Sequence, residues 1–322
     1  LSACQNGLLS CNHLIKVILM KTYIECLPCF FRQAIDACKK AELSEKETKK
    51  IIEKAAKAIR KIPMEVPPPA VAFEINSLVN KASGRKDFYE EEKKKSKDAV
   101  RGIYLKCMKK IEKSKDSLLA AVELAIAGNI IYFGIMNKID IDKEVSKIIN
   151  SEEKMLKHAD KKYFAYVQFA KCVEKSGTIL FLGDNAGEIV FDKMLIETIR
   201  KKYPRKRIIY AVKSQPILND SLKEDALYCG LDSFAEIITS GSVIPGTIAE
   251  RCSKEFSEYL SLSGMVISKG QGNFEALSDC GRDVFFLLKA KCAVIAKRLG
   301  VKIGDYVFVR GGHDPVETTE KR

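Results

Sequence analysis

Asp184 and Asn185 stand directly after an apolar run, Thr178-Ile179-Leu180-Phe181-Leu182-Gly183, and lead into Ala186-Gly187-Glu188. A carboxylate and an amide oxygen at the end of a buried strand are hard donors suited to a divalent cation. A second acid, Asp220, closes the stretch Lys213-Ser214-Gln215-Pro216-Ile217-Leu218-Asn219-Asp220 that follows the apolar run Arg207 to Val212. Two later apolar runs also end in polar residues. Gly264 to Ser268 leads into Lys269-Gly270-Gln271-Gly272-Asn273-Phe274-Glu275, and Val284 to Leu288 into Lys289-Ala290-Lys291-Cys292. If neighbouring strands are parallel, all these groups meet at one sheet edge, where lysines and glycine-freed N–H groups suit phosphate oxygens. Oxygen ligands beside cations point to metal-assisted phosphoryl chemistry. An ordinary helix N-cap explains one of Asp184 and Asn185. It does not explain both together with Asp220, Lys269 and Lys289.

The elements that must position these groups change character along the chain. From about Ile24 to Ala170 the pattern is helical: Ser44-Glu45-Lys46-Glu47 is a capping-box match, followed by Ile51, Ile52, Ala55, Ala58 and Ile59 at helical spacing. Pro67-Pro68-Pro69 breaks the chain between helices. Leu118 to Phe133 reads as one more helix, with Gly128 serving either close packing or the placing of Asn129. From Gly177 onward short apolar strands alternate with helices, including Glu236 to Ile238 and a last strand from Tyr306 to Val309. This texture predicts a largely parallel, Rossmann-like α/β sheet with helices on both faces. The expected division is a helical domain over 20–170 and an α/β catalytic domain over 171–322. Residues 1–19, upstream of the first methionine, Met20, read as an over-extended or non-native segment, and the tail from Gly311 as frayed.

A chain of 322 residues with net charge +13 can carry two domains. Its basic residues are mixed with acids, as in Glu90-Glu91-Glu92-Lys93-Lys94-Lys95, which describes solvated helix faces and favours a small anionic substrate over nucleic acid. The cluster Lys201-Lys202-Tyr203-Pro204-Arg205-Lys206-Arg207 has no aromatic-rich strand or helix-turn-helix pattern beside it. Eleven irregularly spaced cysteines fit reduced thiols in the cytoplasm. The most apolar stretch, Leu118 to Met136, is interrupted by Glu123 and Asn129 and predicts no membrane span.

Two other chemistries compete. Gly183-Asp184-Asn185-Ala186-Gly187 superficially matches the glycine-rich loop of an S-adenosylmethionine-dependent methyltransferase, but the second strand ends in Lys213 where such a site wants an acid. An aspartyl-phosphate phosphatase needs a second Asp two residues after the nucleophile, and position 186 is Ala. Cys26 and Cys29 raise a structural zinc or a redox pair. There is no second Cys-x-x-Cys, and His13, His158 and His313 lie far apart. With helical flanks and Pro28 near a helix start, the plain expectation is two buried packing thiols.

Cys26-Leu27-Pro28-Cys29, Gly183-Asp184-Asn185-Ala186-Gly187-Glu188, Pro216-Ile217-Leu218-Asn219-Asp220, Lys269 to Glu275 and Lys289-Ala290-Lys291-Cys292 together resemble the archaeal and bacterial branch of the metal-dependent damage-control phosphatases. The resemblance runs in order from about Met20 to Arg310. It implies a helical N-terminal domain packed on a Rossmann-like one, and hydrolysis of phosphomonoesters of small metabolites with Mn, Ni, Co or Mg. Carried over by position, Asp184, Asn185 and Asp220 are the metal ligands, with Asp184 also catalytic. Lys269, Gly272, Asn273, Glu275 and Lys291 are the substrate contacts. Two lysines compete for the catalytic phosphate-binding role: Lys289 is nearer the strand end, Lys291 belongs to the Lys-Cys pair, and Lys289 is the expected one. Tyr132 departs from the acid expected after Gly128-Asn129. Attack by water on the metal and attack by Asp184 are both compatible with this set.

Overall fold

The computed structural model describes residues 20–136 and 164–311. The expectations for residues 1–19 and for the tail after Gly311 lie outside these residues, as do His13, His158 and His313. The side chains of Asn129 and Tyr132 are likewise not among those described.

Five helices open the chain: α1 (Leu27–Lys40), α2 (Glu45–Lys61), α3 (Pro68–Ser83), α4 (Glu90–Lys113) and α5 (Ser117–Met136). The expected capping box starts α2, with Glu47 N–H donating to Ser44 Oγ at 3.3 Å and Ser44 N–H to Glu47 Oε2 at 2.9 Å. The proline run begins a helix as well as ending a loop: Pro67 is extended at the N-cap, and the next two prolines fill helical positions that need no donor. Helices α1 to α3 bury Phe30, Ala34, Ala55, Val71 and Ile75 against one another.

After α6 (Tyr166–Lys175), strands and helices alternate: β1 (Thr178–Leu182), α7 (Ile189–Lys202), β2 (Arg207–Val212), α8 (Lys223–Tyr228), β3 (Glu236–Thr239), α9 (Lys254–Leu262), β4 (Met265–Lys269), α10 (Gln271–Leu277), β5 (Val284–Lys289), α11 (Ala293–Leu299) and β6 (Tyr306–Gly311). The sheet order is β3-β2-β1-β4-β5-β6. The pairings among β1 to β5 are parallel, and β6 runs antiparallel to β5. The apolar runs are unbroken because both faces are covered. Ile179, Phe181 and Tyr210 share a core with α5, α6 and α7, while Leu180, Leu182 and Ile209 pack with Phe256 and Phe274. Since α5 and α6 lie in that sheet core, a boundary near residue 170 marks a change of sequence texture, not a gap in packing. Gly128 is settled by packing: a Cβ there would come within 2.8 Å of the Phe191 ring on α7.

Chain direction across the sheet reverses at β1, with β2 on one side and β4 on the other. A crevice forms at such a switch point, outside the carboxyl ends of the strands. The Asp184 and Lys269 ends border it. Among the described residues, no helix is long and apolar enough to cross a membrane.

Candidate functional site

Asp184 and Asp220 are brought together by backbone pairing. Asn185 forms an isolated antiparallel bridge with Asp220, Ser221 N–H donates to Asp184 O at 2.8 Å, and Ala186 N–H donates to Asn219 O at 2.9 Å. Leu218, just before, takes φ +48, a left-handed conformation that costs a branched residue on the order of 1–3 kcal/mol. From the other side β4 closes in. Gly270, at φ +83, presses on the Asp184 carboxylate so closely that any Cβ would collide with it. Asn273 Nδ2 donates to Gly183 O at 3.2 Å and to Lys269 O at 2.8 Å, and Thr247 Oγ1 donates to Asn273 Oδ1 at 2.7 Å. The side chain of Asn273 therefore ties β1 to β4.

The acids crowd one another. Burial, then the charges of Glu188 and Asp220, push the Asp184 carboxyl up to about 8, against the pull of Lys291 and Lys269. Burial raises Asp220 to about 6, opposed by Lys213, Lys291 and Lys93. Asp220 Oδ2 is buried, accepts no hydrogen bond, and lies 4.0 Å from Lys213 Nζ, which donates instead to Gly246 O at 2.5 Å. Asn185 Nδ2 donates to Asp184 Oδ2 at 3.0 Å and Glu188 Oε1 at 2.7 Å, which fixes the amide and leaves its oxygen as a donor atom for another group. Among the described residues, no group of three or more His, Cys, Asp or Glu side chains is arranged to hold a metal. A cation here would need the Asn185 amide oxygen beside Asp184 and Asp220. The orphaned Asp220 oxygen and the raised carboxyls fit such a ligand, because a cation would relieve both.

Lys269 does not match its expected role on phosphate. Its side chain is 1% exposed and its Nζ is 2.9 Å from Glu188 Oε2 and 2.7 Å from Asp192 Oδ1. Tyr210 OH donates to Asp192 Oδ2 at 2.8 Å. The lysine is the counter-ion of two buried acids, and the Lys269 ammonium holds Glu188 below the usual carboxylate range despite burial. Sequence reasoning missed Asp192 and assigned no role to Glu188. The available signal was their spacing of four residues, acids one turn apart on an otherwise apolar helix face.

The two candidate lysines separate. Lys289 reaches sideways to the Tyr306 ring, 6.0 Å from its centroid, on the antiparallel edge of the sheet. Lys291 is exposed, its N–H donates to Gln271 Oε1 at 2.9 Å, and its charge acts on Asp184, Glu188, Asp220 and Glu275. Of the two lysines, Lys291 is the one whose charge acts on the acids, which favours it over Lys289 for the phosphate-binding role. Glu275 is buried, accepts from Gln271 Nε2 at 2.8 Å, and is pushed up to about 7 by burial. Gly272 packs its backbone against Gly246.

Cys26 and Cys29 are free thiols, neither fully buried, although Cys26 packs against the core of α1 to α3. Cys29 is exposed and Cys26 half-buried, its thiol raised by burial. Replacing both by Ala is therefore expected to change stability by less than about 1 kcal/mol, well under the cost of core truncation, as read from the urea midpoint.

Fold and site together define a Rossmann-like α/β protein with a helical N-terminal region and an acid–amide–acid cluster at the switch point of its sheet. The chain belongs to the damage-control phosphatase ARMT1-like family, whose domain model matches residues 22–307. It is 35% identical over 295 residues to an uncharacterised protein of Methanocaldococcus jannaschii, covering 89% of this chain and 94% of that one. It is 34% identical to a damage-control phosphatase of Pyrococcus horikoshii, covering 90% and 98%. A crystal structure of a DUF89 family protein from that organism superposes with a TM-score of 0.79 at 31% identity, covering 92% of this chain and all of the other. The family supports a phosphatase role and gives no support to a methyltransferase.

Proposed function

We propose that this chain is a metal-dependent phosphatase that hydrolyses phosphomonoesters of small metabolites, with Asp184, Asn185 and Asp220 holding a divalent cation such as Mn, Ni, Co or Mg. The observation that carries the reading is the pair of buried, raised carboxyls, Asp184 and Asp220, one with a buried oxygen that accepts no hydrogen bond, at the sheet's switch point. When bound, such a cation supplies Lewis acidity and neutralises charge on the phosphoryl oxygens.

The chain's own residues do the rest. Lys291 meets the phosphate oxygens from the solvent side and offsets the charge that grows on them during transfer. Lys269 keeps Glu188 ionised, and Glu188 in turn orients the Asn185 amide. Asn273 and Gly270 hold the β4 end against Asp184, so the crevice has fixed width. The same reading places the enzyme in the cytoplasm.

Lys291→Ala is expected to lower kcat by about 10²–10³-fold, the scale of losing one stabilising donor, and Lys289→Ala to change it by less than about threefold. Steady-state kinetics on one good substrate decide the ranking. Equal losses, or a larger loss at Lys289, would return the role to the strand-end lysine. The proposal as a whole is tested by phosphate release from a panel of phosphorylated sugars, nucleotides and cofactor precursors with each metal in turn.

A further inference from the structure

A cavity of about 340 Å3 opens between the helical region and the sheet edge. Its helical wall is mostly apolar or sulfur-bearing, with Cys26, Phe30, Pro68 and Pro69, and carries one neutral amide, Gln33; its sheet wall carries Gln271 and Glu275. Among the described residues no lysine or arginine lines it, and its carboxyls are Glu275 inside and the exposed Glu25. The cavity adjoins the acid cluster through the first turn of α10. Gly270 presses on the Asp184 carboxylate, and the next two residues, Gln271 and Gly272, line the cavity. Lys291 stands at the junction, bonded through its N–H to Gln271 Oε1, with its charge acting on both Asp184 and Glu275.

The charges are therefore sorted along one path. The charge of Lys291 acts both on the acid cluster and on Glu275, in a cavity whose own charges are negative. A phosphate drawn to Lys291 and the Asp184 cluster would leave its ester group pointing into a space of small-ligand size with an apolar wall and one buried acid. Resting on the phosphatase reading, we propose that this cavity holds the leaving group of the substrate and that Glu275 sets its specificity. It admits a compact, neutral or cationic group carrying hydrogen-bond donors and rejects one carrying a second anion.

Glu275 accepts one hydrogen bond, from Gln271, and has a second oxygen to offer a hydroxyl or ammonium. Burial raises the Glu275 carboxyl to about 7, so like-charge repulsion of a second phosphate acts where that carboxyl is ionised, and the comparison below is made above about pH 8. Among the described residues the lining offers such a phosphate neutral amides, Gln33 and Gln271, but no cation to offset its charge.

The test is initial-rate phosphate release by the full chain from three related esters: a polyol monophosphate, the same polyol as its bisphosphate, and an amino-alcohol monophosphate. Wild-type protein is expected to prefer the better monophosphate over the bisphosphate by at least ~10-fold in kcat/KM, equivalent to about one pKa unit of interaction. Glu275→Gln, which keeps the shape and removes the charge, should narrow that ratio several-fold. Preference for the amine ester identifies an ammonium seat and preference for the polyol a hydroxyl seat; both support the cavity's role. Turnover with no discrimination against the bisphosphate in wild type, or a ratio unchanged in Glu275→Gln, overturns it while leaving the phosphatase reading intact. Absence of phosphate release from every monoester with every metal overturns both. The wild-type ratio is decisive by itself should Glu275→Gln fold poorly.

Discussion

Asp184→Ala and Asp220→Ala are each expected to lower phosphate release by about 10³-fold or more while the protein stays folded. A cation that contributes several kcal/mol of transition-state stabilisation is worth that factor, and each carboxylate supplies charge that no neighbour replaces. The fold should survive because the charges of Glu188 and Asp220 oppose that of Asp184, and Asp220 keeps an oxygen without a hydrogen bond. Removing one relieves repulsion in the metal-free state. The melting temperature of Asp184→Ala in chelator should match or exceed wild type, and that of Asp220→Ala, which leaves buried Lys213 without its paired carboxylate, should fall only slightly. A mutant with wild-type turnover, or one that is inactive only because it is unfolded, would contradict the assignment.

The second large effect is structural. Lys269→Met is expected to cost about 3–5 kcal/mol, because it leaves Glu188 and Asp192 buried without their shared cation. Urea titration at neutral pH reads the loss as a lower midpoint. Activity should fall with it, since Glu188 is what holds the Asn185 amide, and the drop should persist under conditions where the variant is fully folded. Lys269→Arg should not rescue: a planar, forked guanidinium does not fit a site closed around a compact ammonium. A loss below about 1 kcal/mol, the scale of an exposed ion pair, would show that this triad is not the anchor described here.

Much of the sheet was legible because burial on both faces writes strands as unbroken apolar runs. Arg207–Val212 appears with the bounds read from sequence, and β4 is displaced by one residue, to Met265–Lys269. The positions of Asp184, Asn185 and Asp220 were legible for the same reason: a polar residue ending such a run must lie at the sheet edge. What the sequence could not display is partnership. Lys269 reads as a strand-end cation whichever way it points, and only the fold shows that Glu188 and Asp192 enclose it. Lys289 was favoured for its place at the end of β5, yet it pairs with Tyr306 of the antiparallel strand, while the charge of Lys291, two residues on, acts on the acids. Cys26 and Cys29 read as packing thiols from helical spacing, which says nothing of the cavity beside α1. Asn273 was singled out by motif as a substrate contact, whereas its hydrogen bonds to Gly183 O and Lys269 O join two strands, a long-range relation with no local signature.

The central claim is that this chain hydrolyses phosphomonoesters through a cation held by Asp184, Asn185 and Asp220. Its most direct test is phosphate release by chelator-treated wild-type protein, assayed alone and after adding back Mn, Ni, Co or Mg. The account predicts no turnover without metal, recovery with at least one of the four, and no recovery in Asp220→Ala at the same metal concentration. Equal turnover with and without chelator, or full metal-dependent activity in Asp220→Ala, would contradict it.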